Sequence, residues 1–166
     1  MRDSKRDAVA CQNCSVARSV AIVGDTWTLL VIREAFFRVR RFDQMQRNLG
    51  IARNVLADRL ERLTEHGILD RVLYSERPPR HEYRLTQKGR DLYPAVIALM
   101  QWGDKYACEA GAPVTLVHED CGHETEPFLA CSHCGEELDP RAVRPQAGPG
   151  LRADPEHGRA SLLAEG

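Results

Sequence analysis

Residues 42–66, with the sequence FDQMQRNLGIARNVLADRLERLTEH, decide the fold. Apolar residues recur at helical spacing on both sides of Gly50, first Phe42, Met45 and Leu49 and then Leu56, Leu60 and Leu63. Two short amphipathic helices joined by a tight turn are typical of the helix-turn-helix unit. The second helix is predicted to run from about Ala52 to His66, because Gly67 is a suitable residue to end it.

Helical patterns also precede this stretch. Residues 16–36 are predicted to form two helices, because Gly24 interrupts the apolar spacing and Asp25 can cap a new helix. The first helix has its apolar residues at Val16, Val20 and Val23. The second has its apolar face at Trp27, Leu30, Val31 and Ala35.

After Gly67 the apolar period changes from helical to strand-like. Leu69 to Tyr74 and His81 to Leu85 are short and rich in Val, Tyr and Leu, and they predict a hairpin whose tip, residues 75–80, is extended. Thr86 is predicted to cap one further long helix. That helix carries a heptad-like seam at Leu92, Val96, Leu99, Gly103 and Tyr106.

The seam has two interpretations. Assisted by the 16–23 helix, it is our expected homodimer interface. The alternative is packing within the chain against Trp27 and Leu30.

A strand pair directly after the second helix of a helix-turn-helix makes the unit winged, and this order of elements with a basic loop between the strands favours DNA as the partner.

Composition excludes several classes of protein. The 166 residues are 43% hydrophobic and 28% charged, which is typical of a globular chain. No apolar run approaches the roughly 20 residues of a membrane span. The charged N-terminus has no apolar signal segment after it, so we expect a cytoplasmic protein whose six cysteines are thiols or metal ligands and which has no membrane partner.

The charge is divided unevenly along the chain. Residues 1–110 hold 19 Lys and Arg against 14 Asp and Glu, a net charge of +5. Residues 111–166 hold 4 against 10, a net charge of −6. A basic body followed by an acidic region indicates a polyanion as the partner of the body.

Several motifs follow one another along the chain. They are Cys14-Ser15-Val16-Ala17-Arg18, Gly24, Trp27-Thr28-Leu29-Leu30, Ile32-Arg33-Glu34, Arg41-Phe42, residues 51–60 and residues 78–89, the last containing a YxLTxxG pattern. In this order they resemble the motifs of the HxlR-type winged-helix regulators. The resemblance covers about residues 11–107. It implies a homodimeric transcription regulator of MarR-like architecture, usually a repressor, that binds a double-stranded DNA operator.

The chain departs from the family pattern at three places. Ser15 stands where the family usually has proline. Asp25-Thr26, before the tryptophan, stands where the family usually has a small residue followed by a basic one. Arg38 stands where a glycine is common. None of these departures removes a residue that a winged helix requires.

The first turn of the 52–66 helix is predicted to contact bases, because the N-terminal end of a recognition helix usually meets base edges. Arg53 can bond to guanine and Asn54 to adenine, each through two hydrogen bonds. Asp58 either accepts from a cytosine amine or orients Arg62 at i+4. The alternative for this face is a solvated amphipathic surface.

Other basic residues are predicted to contact phosphates or the minor groove. Arg40, Arg41 and Arg47 precede or occupy the positioning helix, where phosphate contacts fix the register without reading the sequence. Arg77, Arg80 and His81 are placed at the hairpin tip, which Pro78-Pro79 would hold extended along the minor groove. An ordinary solvated turn is the alternative.

Two cysteine knuckles follow the long helix. His118-x2-Cys121-Gly122 and Cys131-x2-Cys134-Gly135 each place two metal ligands two residues apart before a glycine that permits a tight turn. We therefore predict a structural zinc ion bound by His118, Cys121, Cys131 and Cys134, with residues 123–130 forming a short hairpin between the knuckles. His123 and then His133 are the alternatives to His118. A metal-free loop or a redox pair is the alternative to zinc.

The upstream cysteines suggest redox control. Cys14 falls on the family's N-terminal cysteine, which in some relatives senses oxidants or electrophiles. Arg18 and the helix N-terminus would favour its thiolate, and Cys11 would be a resolving partner. The alternative is a thiol that packs in the dimer interface, and Cys108 is predicted only to pack. An oxidant or another small molecule is therefore a candidate effector.

The predicted fold class is α+β, mainly α: a winged helix-turn-helix with a long dimerisation helix and a C-terminal zinc-ribbon-like appendage. Residues 1–110 form the DNA-binding and dimerisation domain, 114–140 the zinc-ribbon-like segment and 141–166 a flexible tail. No Ser/His/Asp arrangement, phosphate-binding glycine loop or catalytic carboxylate pair is apparent, so no enzyme and no catalytic residue is predicted. A zinc site with four protein ligands would be closed and structural.

Overall fold

A computed structural model of the protein describes residues 13–151. The helices are α1 (Ser15–Val23), α2 (Thr26–Phe36), α3 (Phe42–Leu49), α4 (Arg53–Glu65), α5 (Gln87–Arg90) and α6 (Tyr93–Tyr106). Strands β1 (Leu69–Glu76) and β2 (Pro79–Leu85) form one antiparallel pair, and β3 (Leu116–His118) and β4 (His123–Thr125) form another. The predicted helix-turn-helix with a wing after it is confirmed.

The hydrophobic core lies between α2, α3, α4 and the start of β1. Its fully buried side chains are Val31, Ile32, Met45, Leu56, Leu60, Leu63, Ile68 and Leu69. Burial of this apolar surface contributes roughly 25 cal/mol per Å² to folding. Because the core covers the leucine face of α4, the opposite face of that helix is exposed.

Local capping groups set the boundaries of the helices. The Asp25 carboxylate accepts hydrogen bonds from the backbone N–H groups of Trp27 and Thr28 at 3.2 and 3.3 Å, so α2 begins there. Gly50 ends α3 with a φ of +61°, a left-handed conformation that favours glycine. Arg38, where the resembling family commonly has glycine, also adopts a left-handed φ of +62°.

The prediction of one long helix after the hairpin is wrong. The Thr86 hydroxyl caps α5, but that helix ends at Arg90, and α6 begins at Tyr93 with Pro94 in its first turn. Proline has no N–H to continue a helix but is well tolerated in a first turn. The seam is also divided, because Leu92 and Val96 pack against the core whereas Leu99 and Tyr106 are exposed.

The wing is more compact than predicted. The strand pairing continues to Ser75↔Arg80 and Glu76↔Pro79, so only Arg77 and Pro78 lie between the strands and no extended tip forms. Proline cannot donate a ladder hydrogen bond, but it is tolerated as the first residue of a strand, which is where Pro79 lies. The pairing is irregular between Leu73 and Ser75.

The appendage, residues 114–140, contains the second strand pair. Its strands flank the first knuckle, because His118 pairs with His123, and the hairpin predicted over residues 123–130 is therefore wrong. Residues 141–151 contain no helix or strand. The rest of the predicted tail, residues 152–166, and residues 1–12 lie outside the described part of the chain.

Candidate functional site

A basic cleft forms where α3, the start of α4 and the wing meet. Its volume is about 490 Å³. Five of its twelve lining residues are arginines and one is an aspartate, so positive charge dominates its surface. The lining residues are Arg41, Phe42, Asp43, Gln44, Arg47, Arg53, Arg71, Tyr74, Pro79, Arg80, His81 and Tyr83.

The cleft brings together five of the residues predicted to contact DNA. Arg41 is the residue before α3, and Arg47 lies within α3. Arg53 comes from α4, and Arg80 and His81 come from the wing. Four other predicted residues do not line the cleft, although all of them are exposed: Arg40, Asn54, Asp58 and Arg77. Their predicted contacts with DNA are not tested by this geometry.

Arg53 is held over the cleft by its neighbours. It is the first residue of α4, and its side chain is 74% exposed. Its guanidinium carbon lies 4.8 Å from the centre of the Phe42 ring, and one of its nitrogens lies 3.8 Å from an Asp43 carboxylate oxygen. These contacts orient the guanidinium without burying it, so its hydrogen-bond donors remain available to a ligand.

The wing is joined to the helix-turn-helix at the edge of the cleft. The backbone N–H of Tyr83 donates to the Arg40 carbonyl at 2.8 Å, and Arg41 forms an antiparallel bridge with Glu82. The Arg41 guanidinium lies 4.7 Å from the centre of the Tyr74 ring. The wing and α3 therefore form one continuous surface.

Sequence reasoning missed Arg71 and Tyr74. The Arg71 guanidinium lies 3.2 Å from His81 Nδ1 across the hairpin. Arg71 pairs with Tyr83, which also lines the cleft, so the strand register places Arg71 on this face. The alternation of β1 would have indicated this position only once the register with β2 was known.

Arg59 is a third residue that sequence reasoning missed, and it positions α4. Its side chain is only 10% exposed and donates to both oxygens of Asp25, at 2.7 and 3.3 Å. It also pairs with Asp58, so the prediction that Asp58 orients Arg62 is wrong. A two-pronged arginine–carboxylate contact fixes direction as well as distance, so it aligns the start of α2 with α4.

Each cysteine knuckle in the appendage forms a compact turn. In the first, His118 Nδ1 lies 3.4 Å from Cys121 Sγ, and the N–H of Gly122 donates to the His118 carbonyl at 2.8 Å. In the second, the N–H of Gly135 donates to the Cys131 carbonyl at 2.8 Å. The backbone N–H groups of Cys134 and His133, with the Cys134 thiol, hold the pKa of Cys131 below its usual value.

The two knuckles are separate pairs in the structure. Among residues 13–151, no three His, Cys, Asp or Glu side chains are grouped closely enough to hold a metal ion. The structure therefore does not bring the four predicted ligands together: His118 lies beside Cys121, and neither Cys131 nor Cys134 joins this pair in a metal-binding group.

The other two cysteines among residues 13–151 lie at helix ends. Cys14 is half-buried and occupies the N-cap position of α1. Cys108 follows the end of α6 and is also half-buried. Cys11, the predicted resolving partner of Cys14, lies outside the described residues.

A helix-turn-helix followed by a two-stranded wing, with a basic cleft between them, defines the winged helix-turn-helix class of proteins. The profile of the HxlR-like helix-turn-helix family matches residues 22–110. The chain belongs to this family, and the resemblance stated from its motifs is confirmed. The protein is a transcriptional regulator of the helix-turn-helix type and not an enzyme.

Known proteins resemble the chain beyond the family profile. The uncharacterized HTH-type transcriptional regulator Rv3095 of Mycobacterium tuberculosis is 55% identical over 140 residues, which cover 84% of this chain and 89% of the relative. The crystal structure of PA1607, a candidate transcription factor, superposes with a TM-score of 0.75 at 36% identity, covering 85% of this chain and 99% of that one. Both matches are too long to be confined to the winged helix.

A redox regulator is also among the similar structures. HypR in its reduced form superposes with a TM-score of 0.52 at 29% identity, covering 55% of this chain and 92% of HypR. Its oxidized form gives a TM-score of 0.51 at 30% identity.

Within residues 13–151, no single helix is both long and apolar enough to cross a membrane. The one pair of helices that together meet the length and composition, α1 and α2, is bent by 82°.

Proposed function

We propose that the protein binds a specific DNA operator as a homodimer in the cytoplasm and represses transcription there. The observation that carries this proposal is the basic cleft, in which arginines from α3, α4 and the wing converge. A protein bound across a promoter excludes other proteins from the same DNA, and this exclusion is the mode of repression that we propose.

In this proposal α4 enters the major groove with its first turn foremost, as recognition helices do. Arg53 and Asn54 contact base edges there, and Asp58 contributes to the same exposed face. Arg40, Arg41 and Arg47 contact phosphates along one side. Arg77, Arg80 and His81 contact the backbone or the minor groove at the wing.

Recovery of genomic fragments bound by the purified full-length protein tests the proposal. We expect enrichment of a small set of sites that contain two related half-sites, since a twofold dimer reads DNA twice. A reporter gene placed behind such a site should become more active when the regulator is removed. Uniform recovery of all fragments at physiological salt would contradict sequence-specific binding.

The homodimer is supported by apolar faces that residues 13–151 leave uncovered. α1 has no buried residue, and its Val16 and Val20 are exposed. Trp102 on α6 is 62% exposed, and Leu99 and Tyr106 on the same helix are also exposed. Exposed apolar surface of this extent on a monomer usually marks an interface.

A groove lies beside these faces. It has a volume of about 1110 Å³ and is bounded by α2, α6 and the appendage, with Leu29, Leu30 and Leu99 among its lining residues. We propose that a second copy covers the groove and the exposed faces of α1 and α6. A twofold interface uses the same surface on both copies, so one set of apolar residues serves both sides.

Trp102→Asp is expected to convert the dimer to a monomer at micromolar concentration, because it places a charge in the proposed apolar interface. Molar mass from light scattering measures the change, and circular dichroism tests whether α6 remains folded. Leu73→Asp is the matched control, since Leu73 is an exposed apolar residue on the wing. A folded Trp102→Asp protein that remains dimeric would contradict this interface.

Redox control through Cys14 is the second function that we propose. The N-terminus of a helix favours a thiolate, and Cys14 occupies that position on α1. The similarity to the redox regulator HypR supports this function. Because α1 carries part of the proposed dimer interface, oxidation beside it would alter how the two copies meet.

In the simplest reaction, the Cys14 thiolate attacks hydrogen peroxide, its sulfur gains one oxygen atom as sulfenic acid, and hydroxide leaves. Mild peroxide is then expected to release operator DNA from the wild type but not from Cys14→Ser, and a dithiol should restore binding. Cys108→Ser is the control and should respond like the wild type. An equal response of Cys14→Ser and wild type would assign sensing to another cysteine.

A further inference from the structure

The appendage has almost no hydrophobic core. Within residues 114–140 no side chain is buried, and only Leu116, Pro127 and Cys131 are even half-buried. Its strands are three residues long. Fixing a backbone costs about 1–2 kcal/mol per residue, so a segment of this length requires a stabilising contribution other than apolar burial.

The first knuckle has the geometry of a chelating turn. His118 ends β3, Cys121 lies in the turn, and Gly122 has a φ of +72°, which lets the chain reverse directly after the thiol. His118 Nδ1 lies 3.4 Å from Cys121 Sγ, so both ligand atoms face the same point.

The His118 ring has a carboxylate near its second nitrogen. While Nδ1 faces the thiol, Nε2 lies 3.7 Å from an Asp120 carboxylate oxygen. A carboxylate beside the second ring nitrogen is typical of histidine ligands of metals, because it fixes the ring orientation and raises the basicity of the ligating nitrogen.

The second knuckle presents its thiols in a similar turn. Gly135 has a φ of +79°, and the N–H of Cys131 donates to the Glu136 carbonyl at 2.8 Å. Cys131 and Cys134, separated by two residues, are the two ligand residues of this one turn, and the Cys134 side chain is exposed.

We propose that one structural Zn²⁺ joins the two knuckles through His118 Nδ1 and the thiolates of Cys121, Cys131 and Cys134. The ion displaces three thiol protons, and the complex of three thiolates, one imidazole and Zn²⁺ carries a net charge of −1. Three sulfurs and one nitrogen suit tetrahedral zinc. Because the two couples are separate in the structure, metal binding draws the exposed turns together.

The zinc site stabilises a wall of the proposed dimer groove. A side-chain nitrogen of Arg38, just after α2, lies 2.9 Å from a Glu119 carboxylate oxygen. The Gln101 side chain on α6 donates to the Pro127 carbonyl at 2.8 Å. The appendage therefore contacts both α6 and the segment that follows α2. None of the four proposed ligands lines the basic cleft, so the zinc content can be measured without DNA.

Elemental analysis of the untagged, full-length protein, expressed with zinc and purified under reducing conditions, tests the site directly. We expect about one zinc per chain, and tetrahedral visible absorption with sulfur-to-metal charge transfer after replacement by Co²⁺. Cys131→Ser with Cys134→Ser should reduce the zinc content to near zero. Cys108→Ser is the matched cysteine control and should retain it.

Histidine variants identify the fourth ligand. His118→Ala should weaken zinc binding and alter the cobalt spectrum. His123→Ala and His133→Ala should leave the cobalt spectrum unchanged. Loss of the metal in His123→Ala or His133→Ala alone would overturn the assignment of His118. Zinc far below one equivalent, zinc retained in the double cysteine variant, or a Cys131–Cys134 disulfide would each overturn the site.

Removal of the metal provides a readout other than metal content. A strong chelator should accelerate backbone hydrogen exchange in residues 114–140 by about tenfold or more, because metal binding supplies the folding energy of a segment without a core. Peptides from α2, α3 and α4 should exchange as before, since their core is separate. Unchanged exchange in the appendage would contradict a structural role for zinc.

Discussion

Arg59→Met is expected to lower the free energy of unfolding by about 2–4 kcal/mol, the largest effect of any single substitution considered for this chain. The guanidinium is nine-tenths buried and holds both oxygens of Asp25, whose own side chain is 22% exposed. Removing the cation leaves the Asp25 charge without its counter-ion in a site that water reaches only in part. Methionine keeps most of the aliphatic stem, so the loss reports chiefly on the charge pair.

A double-mutant cycle separates the interaction energy of Arg59 with Asp25 from the other effects of each substitution. Asp25→Asn retains a good N-cap for α2 while removing the negative charge. Combined with Arg59→Met, it should recover part of the lost stability, because neither charge then remains uncompensated.

Chemical denaturation at one fixed protein concentration measures each variant, since dimerisation makes apparent stability depend on concentration. Arg53→Ala is the matched control, because its ion pair with Asp43 is exposed and should contribute about 1 kcal/mol or less. If Arg59→Met costs no more than this control, the pair does not hold α2 to α4.

Arg53→Ala and Asn54→Ala are each expected to weaken binding to the operator by about 1–3 kcal/mol, while the protein remains folded. Both residues lie in the first turn of α4 and are exposed, and Arg53 is already oriented over the cleft. Hydrogen bonds to base edges depend on sequence, so binding to unrelated DNA should change much less. Titration of labelled operator and unrelated duplexes at matched salt measures both affinities.

Arg80→Ala provides a contrasting variant of the same cleft. It should weaken operator and unrelated DNA alike, and it should reduce the salt dependence by about one ion, as loss of a phosphate contact does. Arg84→Ala is the control, since Arg84 is an exposed arginine of the same hairpin that does not line the cleft. Operator binding at the wild-type level in both Arg53→Ala and Asn54→Ala would contradict the assignment of α4 as the recognition helix.

The helical part of the fold was predictable because its signals are local. The break at Gly24, the Asp25 cap, the turn at Gly50 and the leucine face of α4 each depend on residues no more than about four positions apart. The motif order within residues 11–107 then indicated the family correctly. The exposed face of α4 followed from the same period, because burying Leu56, Leu60 and Leu63 leaves the opposite side to solvent.

The wing and the long helix show where local signals were insufficient. A cluster of Pro and charged residues at 75–80 indicated an extended tip, but pairing between β1 and β2 continues almost to the turn. The heptad-like spacing after Thr86 indicated one helix. In the structure Leu92 and Val96, the first residues of that spacing, pack on the core, and a new helix begins at Tyr93 with Pro94 in its first turn. In both cases contacts between elements outweighed the local pattern.

The sequence by itself determined the class of fold and the positions of α4 and of the two knuckles, because periodicity, caps and ligand spacing are properties of neighbouring residues. Only the tertiary structure decided that Arg59 meets Asp25, 34 positions away, and that Arg71 joins arginines from α3 and α4 in one cleft. It also placed the strands of the appendage on either side of the first knuckle. Contacts between residues far apart in the chain depend on how whole elements pack and register, and no local pattern specifies that arrangement.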